Sequence, residues 1–350
     1  MKKLFPILLV GLLLVLIGTG CRSKASNPES VAVTGGWTIS APEAQGMDPA
    51  PLARMFERID QSPRHDVHSV LIIRNGVIVA EKYYQSYTEN SQNTVYSVTK
   101  SVTSALVGIA IEEGSIQGVD QPVSDFFPEA LAVNPDPRKS AMTLEDLLTM
   151  RAGLEWQEGN PAYRSLYMSQ DWVAFMLNKV LEDDPGTKFE YCSGCTHVLS
   201  GVIQKATGMP TQDFARTRLF EPLGITNYRW ETDSTGNTIG GWGLELTARD
   251  MAKFGTLFLQ NGAWAGQQII PASWVKKSTR DGIGAPGEWD YAYQWWVKAD
   301  ENLYAAQGMY GQKIYVVPDQ ELVVVVTVGS TGGSDVGDLV LRSAVEAVND

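Results

Sequence analysis

Two runs of β-forming residues, Val67 to Ile73 and Val77 to Tyr84, are joined through Asn75-Gly76. That dipeptide tolerates the positive φ angles of a type I′ turn, so the pattern predicts a hairpin. From Ser97 the apolar positions Val98, Val102, Leu106, Ile109 and Ala110 recur at helical spacing until Gly114. The spacing predicts one long, largely buried helix. Helical patterns then dominate from Leu144 to Gly262: Leu144 to Arg151, Trp172 to Leu181, Thr196 to Thr207, Thr211 to Leu219 and Ala248 to Asn261. Beyond them the period changes to that of strands, over Tyr291 to Val297, Tyr304 to Gly308, Gln312 to Val317 and Leu322 to Val328, with a closing helix over Asp338 to Val348. Strands at both ends with helices between predict an α+β fold, an α/β sandwich with an antiparallel sheet plus a helical lobe. The sheet-containing domain is assigned to 45–105 and 285–350 and the helical lobe to 106–284, with a cleft between them.

The N-terminus has a different pattern. Met1-Lys2-Lys3 is basic, and Leu4 to Gly20 is mostly apolar but short for a bilayer span. Residues 1–20 therefore read as a signal peptide. The segment ends Leu16-Ile17-Gly18-Thr19-Gly20-Cys21, which resembles a bacterial lipobox, with Gly18 where Leu is commonest. The resemblance implies lipidation of Cys21, a tether over 21–44, and a place in the cell envelope on a lipid anchor. An ordinary cleaved signal and an uncleaved N-terminal anchor are the alternatives.

Composition narrows the function. With 44% hydrophobic and 19% charged residues the chain is globular, and a net charge of −12 argues against binding a phosphate backbone. Nucleic acid is thus excluded as a main partner. Apart from Cys21 the cysteines are Cys192 and Cys195, one Cys-x-x-Cys. A structural zinc would need two more ligands, and the histidines are His65, His68 and His197 only, so packing beside the site, with or without a disulfide, is the favoured reading.

Ser97-Val98-Thr99-Lys100 puts a hydroxyl and an amine on one face at the head of the buried helix. A hydroxyl needs a base, and a desolvated Lys has its pKa lowered enough to be one. The helix N-terminus adds N–H groups suited to a developing oxyanion. Ser273-Trp274-Val275-Lys276 matches the same motif, and Ser97 alone reads equally as a helix cap. Further on, Tyr191 lies just before the helix near Thr196, where a phenol is able to relay protons. Ala306-Gln307-Gly308-Met309-Tyr310-Gly311 lies on a strand whose glycines allow a substrate backbone to approach.

These three segments, in this order around a helical insert, resemble the serine β-lactamase and penicillin-binding protein superfamily, closest to its class C-like esterase and aminohexanoate-dimer hydrolase branch. Further echoes are Leu144-Glu145-Asp146-Leu147-Leu148-Thr149-Met150, Leu219-Phe220-Glu221-Pro222-Leu223-Gly224-Ile225 and Leu246-Thr247-Ala248-Arg249-Asp250-Met251. The resemblance implies a β-lactamase/transpeptidase-like fold. It also implies Ser97 as acylated nucleophile, Lys100 as its base, Tyr191 as proton shuttle, and the backbone N–H groups of Ser97 and Met309 as oxyanion hole. The Tyr-x-Asn of many relatives is Tyr191-Cys192-Ser193 here, and their Lys-Thr-Gly or His-Thr-Gly is Ala306-Gln307-Gly308. Ser193, Gln307 and Gly308 are then substrate-binding candidates, with Gln307 a neutral donor where β-lactam-recognising relatives carry a cation or imidazole. Tyr163 and Tyr167, in a polar loop from Gln157 to Gln170, are placed as a substrate-contacting lid or a plain surface loop. Lys313 and Arg164 are the reserve candidates for holding a carboxylate.

His197 sits among core-like Val198, Leu199, Val202 and Ile203, and Gly329-Ser330-Thr331-Gly332-Gly333 lacks the Lys of a P-loop. The reading is a serine hydrolase, free of metal and cofactor, that cleaves a small ester or amide. Its rivals are a catalytically silent envelope-binding lipoprotein of the same fold and a true β-lactamase or D,D-peptidase.

Overall fold

The structure, a computed structural model, describes residues 32–34, 36–62, 66–329 and 334–349. The signal peptide, Cys21 and most of the glycine-rich stretch 329–333 lie outside the described residues.

The strand Leu322–Val328 is Leu-Val-Val-Val-Val-Thr-Val and buried throughout, the pattern of a strand covered on both faces. It is the middle of a nine-stranded sheet. On one side it pairs antiparallel with Val67–Arg74, which leads through Val77–Tyr83 to Trp37–Ile39 and Ala32–Thr34. On the other it leads through Gln312–Val317, Leu303–Gly308 and Trp296–Lys298 to Asp290–Tyr291. The two ends of the chain thus meet at the sheet centre, from Leu322 opposite Arg74 to Val328 opposite Val67. The hairpin turns at Asn75 and Gly76 with φ of 53° and 75°.

Period two divides the core. Leu322, Val324 and Val326 face Leu52, Met55 and Ile59 of the Pro49–Asp60 helix and Val336 and Val340 of the Ser334–Ala347 helix. Val323 and Val325 face the other way, toward the Val98–Glu112 and Ala248–Leu259 helices. A Cβ on Gly255 would lie 2.7 Å from side-chain carbons of Ile314 and Val323, so glycine lets that helix sit close on the sheet. The mixed α/β layering is the fold class the sequence predicts.

Four local expectations need correction. Residues 37–39, assigned to the tether, form the second strand from one edge of the sheet with Trp37 2% exposed, because that indole packs edge-on against Trp264. Tyr291 to Val297 is two short paired strands rather than one: Gln294, at φ 64°, turns the chain and sends its amide to the carbonyls of Leu147 and Leu148. The stretch from Gln157 to Gln170 holds a short helix, Ala162–Met168. Two strands within the helical region, Leu244–Thr247 and Arg229–Trp230, form a three-stranded sheet with Gln92–Thr94, which runs into Ser97.

Candidate active site

Ser97 stands immediately before the Val98–Glu112 helix, which is buried from Val98 to Ala110. Its position is fixed from behind by the small sheet, where Val95 N–H donates to the Leu244 carbonyl at 2.9 Å. Tyr96, just before it, is held at φ 47°, a conformation that costs a non-glycine residue of order 1–3 kcal/mol. Ser97 makes no side-chain capping bond. Its Oγ instead receives Lys100 Nζ at 2.9 Å.

Lys100 is 1% exposed and donates to three oxygens, each at 2.9 Å: Ser97 Oγ, Ser193 Oγ and the Gly241 carbonyl. Burial lowers its pKa to about 8, against the opposing pull of the Glu158 charge. The amine also lies 4.8 Å from the ring centre of Tyr191. Burial holds the pKa of the Tyr191 phenol well above the ordinary phenol value, with the neighbouring Ser97 hydroxyl pulling the other way. Its ring stacks on Trp296 and meets Tyr291 edge-on, so two aromatics of the sheet edge pack against it.

Cys192 and Cys195 are joined by a disulfide across the start of the Ser193–Thr207 helix, bracketing Ser193. Glu158 is the residue that sequence reasoning missed. Its carboxylate accepts from the Trp156 indole at 2.7 Å, the Tyr163 phenol, the Ser193 N–H at 3.1 Å and the Ser193 hydroxyl. Nothing in its local sequence marks it among 40 acidic residues.

The strand Leu303–Gly308 closes the other side. A Cβ on Gly308 would lie 2.3 Å from the Val95 carbonyl oxygen, so this glycine serves approach of the protein's own backbone as well as any substrate. That approach brings Met309 beside the segment that carries Ser97, and Tyr310, at φ 65°, meets Tyr96 edge-on at 5.2 Å. Gln307 does not fit its expected role. Successive side chains on a strand alternate faces, and Gln307 shares the face of Ala305 and Tyr315, opposite Ala306 and Gly308. There its amide oxygen accepts from Lys313, on the facing strand, so neither is a donor into the cleft.

Tyr163 and Tyr167 do come to the site. With Arg164, Met168 and Met309 they line a cavity of about 640 Å³. Trp242 anchors both, meeting the Tyr163 ring edge-on at 5.1 Å and donating its indole N–H to the Tyr167 oxygen at 3.1 Å. His197 is fully buried against Asp233, as the apolar spacing around it predicts.

Comparison with known proteins agrees with this geometry. A 6-aminohexanoate-dimer hydrolase of Paenarthrobacter ureafaciens is 26% identical over 277 residues, covering 73% of this chain and 70% of that protein. Among solved structures, EstCE1, a hydrolase with promiscuous acyltransferase activity, superposes with a TM-score of 0.71 at 18% identity, over 86% of this chain and 99% of that one. A class C β-lactamase superposes at 0.68 with 15% identity, over 86% and 96%. These two likenesses are of fold. The family model for Beta-lactamase matches residues 52–347, a span that contains the serine, the lysine, the tyrosine and both halves of the sheet that frames them; the chain belongs to the Beta-lactamase family of hydrolases.

Proposed function

We propose that this chain is a serine hydrolase that cleaves short, largely apolar esters, and linear amides second, through an acyl-Ser97 intermediate. The observation that carries the reading is a buried Lys100 with its pKa lowered to about 8 and its nitrogen 2.9 Å from Ser97 Oγ. At pH 7 roughly a tenth of such an amine is neutral, against fewer than about one in a thousand for a free lysine. The neutral amine takes the Ser97 proton as Oγ bonds to the substrate carbonyl carbon. Negative charge then develops on the carbonyl oxygen at the head of the helix, against the backbone N–H groups of Ser97 and Met309. Tyr191, kept neutral by its raised pKa, passes the proton to the leaving oxygen or nitrogen as that bond breaks. Water then repeats the sequence on the acyl-enzyme, with the proton returning to Ser97. No step calls on a metal or cofactor.

Substrate choice follows from the walls. Tyr163, Tyr167, Met168 and Met309 are apolar or aromatic, and Ala306 gives no charge on the face turned to the nucleophile's helix. Arg164, at the rim, is the one cation in that lining, and it suits a carboxylate carried far from the scissile bond. The 6-aminohexanoate dimer in the name of the Paenarthrobacter relative belongs in the substrate panel. The test is labelling by a fluorophosphonate with peptide mapping, followed by kcat/KM for p-nitrophenyl butyrate, a linear amide and a chromogenic cephalosporin. Label on Ser97 and a preference for the ester support the reading; absence of label refutes it, and a preferred cephalosporin makes the chain a β-lactamase.

We propose also that the protein works outside the cytoplasm on a lipid anchor at Cys21. The sequence of the first 21 residues supports this, and a disulfide at Cys192–Cys195 is in keeping with an oxidising compartment. No helix among the described residues is long and apolar enough to cross a membrane. Metabolic labelling with a palmitate analogue, lost in Cys21→Ser, is the check.

A further inference from the structure

Hydrogen counting around Lys100 assigns a task to Glu158, on the reading that Ser97 is the nucleophile. Ser193 Oγ carries a single proton and gives it to Glu158. What it turns to Lys100, 2.9 Å away, is therefore a lone pair. The Gly241 carbonyl, at the same distance, is able only to accept. A neutral amine has two protons and one lone pair. With Ser193 and Gly241 both acting as acceptors the protons are committed to them, and the lone pair is left for the Ser97 hydroxyl. A Ser193 hydroxyl free to rotate would donate to that lone pair instead and compete with Ser97.

We propose that Glu158 is a positioning residue: by holding the Ser193 hydroxyl as an acceptor toward Lys100, it aims the lone pair of the neutral amine at Ser97. It touches neither the nucleophile nor the reacting carbonyl and acts through Ser193. The carboxylate is itself fixed by the Trp156 indole and the Tyr163 phenol, so its orientation is set before substrate arrives. The ionisable groups around the amine are Glu158, whose charge favours the ammonium, and Tyr191, which burial keeps neutral; Tyr163 and Tyr291 stand behind these two and are likewise held protonated.

The second-order rate of fluorophosphonate labelling as a function of pH reads both consequences. In Glu158→Gln an amide N–H is available to Ser193 Oγ and releases its hydroxyl to turn. The high-pH plateau should fall at least about tenfold, and the acid limb should move to lower pH because the ammonium has lost a supporting charge. In a Ser193→Asn background an amide oxygen, which carries no proton, faces Lys100 whatever Glu158 does. There Glu158→Gln should cost less than about threefold in plateau while still moving the acid limb. Equal plateau losses in the two backgrounds, or none in the Ser193 background, overturn the inference. If Glu158→Gln does not fold, Glu158→Asp takes its place: the plateau falls as the carboxylate withdraws by one methylene, and the acid limb stays. An unlabelled wild type overturns the hydrolase reading and this inference together; a labelled wild type with an indifferent Glu158 overturns this inference alone.

Discussion

The chain carries Ser-x-x-Lys twice, each time on a helix. Ser97 and Lys100 lie at the head of a helix buried almost throughout, with the amine held by three oxygens. Ser273 and Lys276 lie on Ala272–Arg280, a helix that buries Trp274, Val275, Ser278 and Thr279 and leaves both motif residues exposed. Spacing gives the two pairs the same relative placement. Only one lysine loses its water, and loss of water is what turns an ammonium into a base. The motif is therefore a geometric precondition, and the chemistry is in the burial.

The comparison breaks most directly at the nucleophiles. Ser97→Ala should abolish covalent labelling and lower turnover by at least about 10⁴-fold, the scale on which nucleophile loss is felt in serine enzymes. Label retained in that variant would remove Ser97 from its role. Next in size, Lys100→Ala and Tyr191→Phe should each cost about 10²–10⁴-fold in kcat/KM, and the double variant far less than their product, because both handle one proton. Strict multiplicativity would show two independent groups.

The burial of Lys100 sets a pH dependence. Activity needs the neutral amine, so with a pKa near 8 the rate should climb about tenfold per pH unit below that value and level off above it. A profile flat from pH 6 to 9 would deny Lys100 the role of base. Smaller again is Gly308→Ala. A Cβ 2.3 Å from the Val95 oxygen forces the strand away from the nucleophile's segment, at about 1–3 kcal/mol of stability, read as a fall in Tm and accompanied by loss of kcat. At the bottom of the scale, Ser273→Ala and Lys276→Ala should change stability by less than about 0.5 kcal/mol and leave labelling intact.

The same contrast explains how much was legible in the sequence. Hairpin, buried helix, central strands and the trio Ser97, Lys100 and Tyr191 all rest on local signals, either a period or a short motif beside one. Glu158 has no such signal, since its meaning comes from Ser193, 35 positions away, and from a turn of chain that places them together. Gln307 was misplaced for a different reason: the motif names a position on a strand, but the pleat decides which face that position serves. The Tyr291 to Val297 run was apolar enough to pass for one strand, and only the reach of the Gln294 amide to Leu147 and Leu148 explains why it folds back. The strands near the sheet margin carry little local signal because pairing there needs few residues, three in Trp37–Ile39.

The seam between Val67–Arg74 and Leu322–Val328 also governs how the molecule comes into being. Ser69 and Thr327, hydrogen-bonded side by side in the sheet, are 258 residues apart in sequence. Loops of that length close slowly, and a strand apolar on both faces has no partner until the last part of the chain has been made. During synthesis the early hairpin must wait with one edge open, a state that invites aggregation. The helix that begins after Ser97 packs against strands from the far end, so the arrangement around Ser97 and Lys100 is complete only at the close of folding, when Leu322–Val328 is in place.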